Sequence, residues 1–199
     1  AQLINLPSSQ ITQLQLISLS HIYNRIPNFK GAAEAAAKLA ELDVFKNAQT
    51  VKVNPDKPQE AVRYVGLLVA ARDSVRVEVA IEETVSLDMV VMGSVAVSKE
   101  GYRIGKGRGY GDLEFGLLMH LKAIKPSTIV VTTVHDSQVY ETLPAELFGP
   151  HDVPIDIIIT PTQVSRCYIY HTSVSILILI LYLIFYLQNY RDYDPFFIS

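Results

Sequence analysis

Cysteine is nearly absent from this sequence, which has one thiol, Cys167, among 199 residues. A single cysteine cannot form an intramolecular disulfide framework, and such scarcity is typical of proteins from a reducing compartment. Residues 1–20 also lack the basic region and the continuous apolar core of a secretory signal peptide. We therefore expect a cytoplasmic protein, and a chain of this length suits one domain.

An excess of positive charge is missing as well. The 17 Lys and Arg residues against 20 Asp and Glu residues give a formal net charge of -3, so no global basic field would attract nucleic acid. The histidines and the cysteine do not show the spacing of a zinc site, and no Ser, His and Asp set stands out as a hydrolytic triad. Evidence of function must therefore come from local motifs.

The most informative motif is the glycine-rich run at residues 103–112, Arg-Ile-Gly-Lys-Gly-Arg-Gly-Tyr-Gly-Asp. Glycines stand at alternate positions in it, among them Gly105, Gly107 and Gly109. They let the backbone approach a phosphate closely or take positive φ. Cationic donors precede and separate them: Arg103, Lys106 and Arg108. Asp112 is suited to hold a magnesium ion. The spacing is that of neither a Walker loop nor a dinucleotide loop, so composition alone also allows a tight glycine turn between a strand and a helix.

The flanking pattern places this run between a strand and a helix. Residues 87–97 form a β-branched apolar stretch, as expected of a strand buried on both faces, and residues 113–122 have the leucine spacing of a helix. A loop that leads into a helix N-terminus gathers N–H groups that favour an anion. Residues 128–134 and 155–160 are two further strand candidates. Strands that alternate with helices predict an α/β domain with a mainly parallel layered sheet and flanking helices.

Several separate blocks, in the same order, resemble the 5-formyltetrahydrofolate cyclo-ligase family, whose enzymes are also called methenyltetrahydrofolate synthetases. Its common blocks correspond here to Asp88 with the apolar residues after it, the run 103–112, residues 138–144 (Gln-Val-Tyr-Glu-Thr-Leu-Pro), and His151 with Asp152. Other blocks are more similar still to a divergent branch, the methenyltetrahydrofolate synthetase domain-containing proteins: residues 25–31, 42–45, 51–58, 91–98 and 134–139. The resemblance covers about residues 21–164.

The resemblance implies a cyclo-ligase-like α/β fold of the CoA-transferase-like class, with a site for ATP and Mg²⁺. The implied nucleotide contacts all come from the glycine-rich run: Arg103, Gly105, Lys106, Gly107, Arg108, Gly109 and Tyr110. The implied magnesium ligands are Asp112 and Asp152. Each has an alternative structural interpretation: Asp112 as an acidic residue at a helix N-terminus, Asp152 as a turn residue, and Tyr110 as a core aromatic.

Another polar pair, His135 and Asp136, follows the strand predicted at residues 128–134. Such a pair can act as a base and its orienting group, but neighbours along a strand point to opposite sides. We therefore expect neither residue to take part in catalysis, and we expect His120 to be an ordinary helix residue.

The chain also departs from the enzymes that it resembles. The second of two tyrosines before the magnesium-binding aspartate is Gly111 here, and Ser98 stands in place of an aspartate. Residues 1–20 contain no Lys or Arg that could reach nucleotide phosphates. The stretch near residues 70–86 is shorter than the corresponding family segment, which carries folate-contacting residues. We interpret this as an internal deletion in a truncated or aberrantly spliced form.

These departures predict a non-catalytic relative that binds a nucleotide or RNA and has lost much of the folate pocket. RNA is included because longer members of the divergent branch carry an RNA-recognition domain, although its aromatic signature is not found in this sequence. The alternative is an ATP- and magnesium-dependent cyclo-ligase that converts 5-formyltetrahydrofolate to 5,10-methenyltetrahydrofolate.

We expect three segments: a poorly defined one at residues 1–20, a cyclo-ligase-like domain at residues 21–165, and a hydrophobic tail at residues 166–199. Within the tail, residues 174–187 carry no charge, but a membrane-spanning helix needs about 20 apolar residues and this run is shorter. Three interpretations stay open for it. They are a tail anchor, through which alone the chain would contact a membrane, a buried core element, and an aberrant end such as translated non-coding sequence. Within the domain, residues 31–41 predict a helix and residues 54–58 a turn-rich linker.

Overall fold

The computed structural model describes the backbone of residues 25–73, 76–78 and 86–168, and the side chains of residues 25–66 and 86–168. The predicted segment at residues 1–20, most of the apparent deletion near residues 70–86 and the whole apolar run 174–187 lie outside these ranges. Among the helices that are described, none is long and apolar enough to cross a membrane.

Strands and helices alternate along the chain, as an α/β domain requires. The strands are β1 (Thr50–Val53), β2 (Arg76–Glu78), β3 (Met89–Val91), β4 (Ala96–Ser98), β5 (Arg103–Ile104), β6 (Ile129–Thr133), β7 (Val139–Tyr140), β8 (Ile157–Ile159) and β9 (Val164–Arg166). The α-helices are α1 (Ala32–Glu41), α2 (Asp43–Lys46), α3 (Glu60–Asp73) and α4 (Tyr110–His120). Single turns of 3₁₀ helix lie at Lys57–Gln59, Asp136–Gln138 and Ala145–Leu147.

The main sheet has six strands in the order β2-β1-β3-β6-β8-β9. Its first five strands are parallel, and β9 runs antiparallel to β8 at one edge. A three-stranded sheet has the order β5-β4-β7, with β4 antiparallel to β5 and parallel to β7. The predicted α/β architecture with a mainly parallel sheet is therefore confirmed.

Apolar side chains cover both faces of the central strands of the main sheet, because alternate residues of a strand point to opposite sides. On one face, Met89 and Val91 share a buried cluster with Leu39 of α1. On the other face, Val90 belongs to a cluster with Phe115 of α4. Burial on both faces explains why the central strands have continuous apolar sequences.

The prediction of one strand over residues 87–97 is wrong. This run contains two strands, β3 and β4, which belong to different sheets, and the chain bends between them after Gly93. The bend is held by a side chain from far along the chain. The buried amide of Gln138 donates to the carbonyl oxygens of Ser94 and Val95 at 3.1 and 3.0 Å. These bonds satisfy two carbonyl groups at the bend, one of them buried.

The other predicted elements are present within a few residues of their expected bounds. The helix expected at residues 113–122 is α4, and the helix expected at residues 31–41 is α1. The strands expected at residues 128–134 and 155–160 are β6 and β8.

The start of α1 is held against the connection between β8 and β9. Gly31, the N-cap of α1, has a φ of 94°, in the left-handed region. A Cβ atom at this position would lie 2.4 Å from Cγ of Pro161. Glycine is therefore required here both by the backbone angle and by the closeness of the proline ring.

Cys167 follows β9 and packs beside Asp156. Its backbone N–H donates to the Asp156 carbonyl oxygen at 2.8 Å. Burial, together with the negative charge of Asp156, raises the pKa of the Cys167 thiol to about 11. The thiol is therefore protonated at neutral pH and is a weak nucleophile.

Candidate functional site

A cleft of about 340 Å³ opens at the carboxyl ends of strands β1 and β3. In the main sheet β2 lies on one side of β1 and β3 lies on the other, so the strand order reverses between β1 and β3. Ligands of open α/β sheets bind in the crevice at such a switch point, outside the carboxyl ends of the strands. Asn54 and Asp56 follow β1, Gly93 follows β3, and all three line the cleft.

Another wall of the cleft is the glycine-rich run that the sequence singles out. Lys106 and Gly109 line the cleft. Positive φ is observed at Gly107 (85°) and Gly109 (68°), a backbone conformation that favours glycine. Gly105 serves differently, because a Cβ atom there would lie 2.9 Å from Nη1 of Arg103. Its missing side chain leaves room for the guanidinium group.

Helix α4 begins directly after this loop, with Gly109 as its N-cap. Gly109 has no side chain with which to cap the helix start, so the first-turn N–H groups depend on other acceptors. Gly109, Tyr110, Gly111 and Asp112 line the cleft, and the positive end of the helix dipole therefore borders it. A helix start of this kind is favourable for an anion.

Three ion pairs surround the cleft: Lys52 with Glu114 at 3.0 Å, Arg103 with Asp112 at 2.6 Å, and Lys106 with Asp56 at 3.0 Å. The side chains of Lys52 and Arg103 are 1% and 5% exposed, whereas that of Lys106 is 35% exposed. Lys106 is therefore the cation of these three that an incoming ligand can reach most easily.

The Arg103 guanidinium joins the end of β3 to the start of α4. Its Nη1 donates to the Gly93 carbonyl oxygen at 3.2 Å, and its Nη2 donates to Oδ1 of Asp112 at 2.6 Å. The same Asp112 oxygen accepts from the backbone N–H of Val153 at 3.1 Å. Asp112 lies in the first turn of α4, where an acidic residue is favourable. Asp112 is therefore an acidic residue at a helix N-terminus, as its structural interpretation expects. Its role as a magnesium ligand stays a prediction.

Comparison with known proteins places this chain within a family. Residues 65–161 match the model of the 5-formyltetrahydrofolate cyclo-ligase family. The methenyltetrahydrofolate synthase domain-containing proteins of mouse and human are 41% and 40% identical to this chain over 179 residues, and each match covers 72% of the chain. The chain belongs to the 5-formyltetrahydrofolate cyclo-ligase family. It spans about half the length of these relatives, 48% of the mouse protein and 46% of the human protein.

A solved structure shares the fold. The NMR structure of Aquifex aeolicus 5,10-methenyltetrahydrofolate synthetase is similar to this chain with a TM-score of 0.53 and 20% sequence identity, covering 82% of this chain and 93% of that one. At this identity the similarity concerns the fold alone. It confirms the cyclo-ligase-like fold that the sequence resemblance implies.

Of the two magnesium ligands that the cyclo-ligase resemblance implies, Asp112 lines the cleft and Asp152 does not. Oδ2 of Asp152 accepts from the Gly149 N–H at 2.7 Å, as expected of a turn residue. Within residues 25–66 and 86–168, no group of three or more His, Cys, Asp and Glu side chains could hold a metal ion. Magnesium needs only one or two carboxylates beside phosphate oxygens and waters. Asp112, which lines the cleft, supplies one oxygen donor of this type.

Tyr110 and Arg108 lie at the surface of the glycine loop of this cyclo-ligase-like domain. Tyr110 lines the cleft and is 54% exposed, so the alternative of a core aromatic is wrong. Arg108 is exposed between Gly107 and Gly109. Contacts of either residue with a nucleotide stay predictions.

His135 and Asp136 have structural roles outside the cleft. Nδ1 of His135 accepts from the Ser137 N–H at 3.2 Å and so caps a 3₁₀ turn. Oδ1 of Asp136 accepts hydrogen bonds from the hydroxyl groups of Thr160 and Thr162. Partial burial acts to raise the pKa of Asp136, but these two bonds and the neighbouring His135 hold it below its usual value. The carboxylate therefore ties the ends of β6 and β8 together.

Sequence reasoning missed one half of the cleft. The segment 54–58 is not merely a linker, because Asn54 and Asp56 line the cleft. A signal was available at Lys52, which lies between Val51 and Val53 in a strand buried on both faces, where a charge needs a partner. No local pattern identifies that partner, Glu114.

Proposed function

We propose that this member of the cyclo-ligase family binds a nucleoside triphosphate, with the phosphates on the glycine loop, and does not catalyse ring closure of a folate. The observation that carries the proposal is the pair of left-handed glycines, Gly107 and Gly109, directly before the N-terminus of α4 and beside Lys106. Cyclo-ligases are in general ATP-dependent. The cleft of about 340 Å³ has the size of a small-molecule site.

The residues that would contact the nucleotide all belong to one stretch: Arg103, Gly105, Lys106, Gly107, Arg108, Gly109 and Tyr110. Lys106 is bound to Asp56 at 3.0 Å, and its ammonium group has further donors with which to bind a phosphate. Bound magnesium would neutralise phosphate charge, and Asp112, the aspartate of the glycine-rich motif, would hold it. Asp152 does not line the cleft, and its Oδ2 accepts from the Gly149 amide.

Loss of catalysis is supported by position 111. The enzymes that this chain resembles have a tyrosine there, whereas a Cβ atom at Gly111 would lie 2.9 Å from Cε of Met92. The flexible end of the Met92 side chain would therefore have to shift to accept a side chain at this position. The stretch near residues 70–86, where the family has folate-contacting residues, is also short.

Removing either Lys106 or Arg108 from the loop should weaken nucleotide binding. We expect Lys106→Ala and Arg108→Ala each to cost about 1–3 kcal/mol of ATP binding, because each removes a charge-assisted contact with phosphate. Calorimetric titration with ATP and Mg²⁺ measures this. Lys99→Ala is the matched control, because Lys99 pairs with the exposed Glu141 and does not line the cleft. Unchanged affinity in both loop variants, or no binding by the parent protein, would disprove the proposal.

RNA is the alternative ligand of the glycine loop, and the same protein variants can be used to test whether it binds. Titration with a single-stranded RNA over a salt series should show steeply weakening affinity if phosphates of RNA are bound. Saturable ATP binding that RNA does not displace supports the nucleotide site. If the protein binds RNA but does not bind ATP, the RNA-binding alternative is favoured.

We expect negligible cyclo-ligase activity. The protein is incubated with 5-formyltetrahydrofolate, ATP and Mg²⁺, and the formation of 5,10-methenyltetrahydrofolate is followed by absorbance. The Aquifex aeolicus synthetase serves as the positive control in the same assay. Turnover at about 1 per second or faster, which is usual for enzymes, would establish the catalytic alternative and refute our proposal.

A further inference from the structure

Lys52 is an unusual residue for the position it occupies. Its register partner in β3 is Val90, whose partner in β6 is Val130, and both valines belong to the apolar cluster beneath α4. An apolar side chain at position 52 would extend this row, whereas burial of an ammonium group costs several kcal/mol before its partners are counted. Packing therefore does not explain the charge.

The hydrogen-bond and ion-pair partners of Lys52 belong to the cleft. Its Nζ donates to Oδ1 of Asn54 at 2.8 Å and pairs with Oε2 of Glu114 at 3.0 Å. Asn54 and Glu114 both line the cleft. Lys52 is 1% exposed but Glu114 is 34% exposed, so the buried ammonium fixes a carboxylate that still reaches solvent in the cleft.

The two parts of the cleft have opposite hydrogen-bonding character. The glycine loop and the start of α4 offer N–H donors and the Lys106 cation, which suit phosphate oxygens. Glu114 offers acceptors only, and Tyr110 lies one helical turn before it on the same side of α4. A ribonucleotide has the complementary parts, because its phosphates accept hydrogen bonds, its ribose hydroxyl groups donate them, and its base has a face that can stack.

We propose that Glu114 accepts hydrogen bonds from the ribose hydroxyl groups of a ribonucleotide whose phosphates lie on the glycine loop, with Lys52 as the residue that positions Glu114. This inference rests on the proposed nucleotide site and adds a preference for ribonucleotides over 2′-deoxyribonucleotides. A carboxylate has two oxygens with which to accept from a hydroxyl pair. A 2′-deoxyribonucleotide lacks one of these donors and leaves part of the carboxylate unpaired.

The test compares ATP, 2′-deoxyATP and inorganic tripolyphosphate in calorimetric titrations with Mg²⁺. The parent protein should bind ATP about tenfold or more tightly than 2′-deoxyATP. Glu114→Gln, which keeps the shape of the side chain, should reduce this ratio to about twofold or less. It should leave tripolyphosphate binding unchanged or stronger, because a negative charge is removed from the cleft. Glu141→Gln, on an exposed glutamate outside the cleft, should preserve the ratio.

Lys52→Met tests the positioning role, because it removes the ammonium group but keeps Glu114. It should lower the ratio of ATP to 2′-deoxyATP affinity without loss of tripolyphosphate binding, which a general loss of structure would not do. If this variant does not fold, Glu114→Gln alone decides. Equal affinity of the parent for ATP and 2′-deoxyATP, or an unchanged ratio in Glu114→Gln, overturns this inference and leaves the nucleotide site intact. Failure of the folded parent to bind either nucleotide or tripolyphosphate overturns the nucleotide site as well.

Discussion

Replacing Arg103 with methionine is expected to lower the free energy of unfolding by about 3–5 kcal/mol, the usual result of removing one partner of a buried ion pair. Arg103 is 5% exposed and bonds both to Asp112 and to the Gly93 carbonyl. Methionine fills much of the same space but leaves a carboxylate and a carbonyl oxygen without these donors. Urea unfolding followed by circular dichroism at neutral pH measures the loss.

Two further variants test whether the loss of stability comes from breaking the buried ion pair or from removing any positive charge. Lys99→Met breaks the exposed pair with Glu141 and should cost less than about 1 kcal/mol. The double variant Arg103→Met with Asp112→Asn should recover part of the stability, because no unpaired charge is then left in place. If Arg103→Met is no more destabilising than Lys99→Met, the Arg103 guanidinium does not hold the end of β3 to the start of α4.

Replacing Gly31 with alanine should destabilise the protein by about 2–5 kcal/mol. Part of this is the cost of a left-handed backbone at a residue with a Cβ atom, about 1–2 kcal/mol. The remainder is overpacking, about 1–3 kcal/mol, because the new atom would lie 2.4 Å and 2.8 Å from two atoms of the Pro161 ring. A rigid proline ring cannot move aside without its backbone. Thermal unfolding would show a fall of the melting temperature by roughly 2–4 °C for each kcal/mol in a chain of this size.

Gly107→Ala is the matched control for this change. Gly107 also has a left-handed φ, 85°, but an added Cβ atom would meet nothing within 4 Å. We therefore expect only the backbone cost, about 1–2 kcal/mol. An equal loss of stability in the two variants would show that the contact between Gly31 and Pro161 contributes nothing.

The parts of the fold that could be predicted are those whose signal is local. The strands expected at residues 128–134 and 155–160 are continuous apolar runs because both faces of the sheet are covered, and the alanine-rich sequence of α1 has a high helix propensity. The division of residues 87–97 into two strands has no such local signal. It depends on the Gln138 amide, which reaches back 44 residues to the Ser94 carbonyl.

The candidate site divides in the same way. The glycine loop could be predicted because glycines, cations and an aspartate stand within one short run. Its counterions could not, since Asp56 lies 50 residues before the Lys106 that it binds. The pair of Lys52 and Glu114 depends on the register of β1 beneath α4, which only the assembled sheet determines. Local chemistry thus identified one wall of the cleft, and the tertiary fold supplied the other.

The three ion pairs around the cleft also affect how a ligand arrives. Each pair joins one positive and one negative charge a few ångströms apart, so its field is largely cancelled beyond a Debye length of about 8 Å at physiological ionic strength. A phosphate-bearing ligand therefore gains little electrostatic steering from these groups, and its association rate should depend only weakly on salt. Differences in nucleotide affinity among variants of the glycine loop should then appear mainly in the dissociation rate.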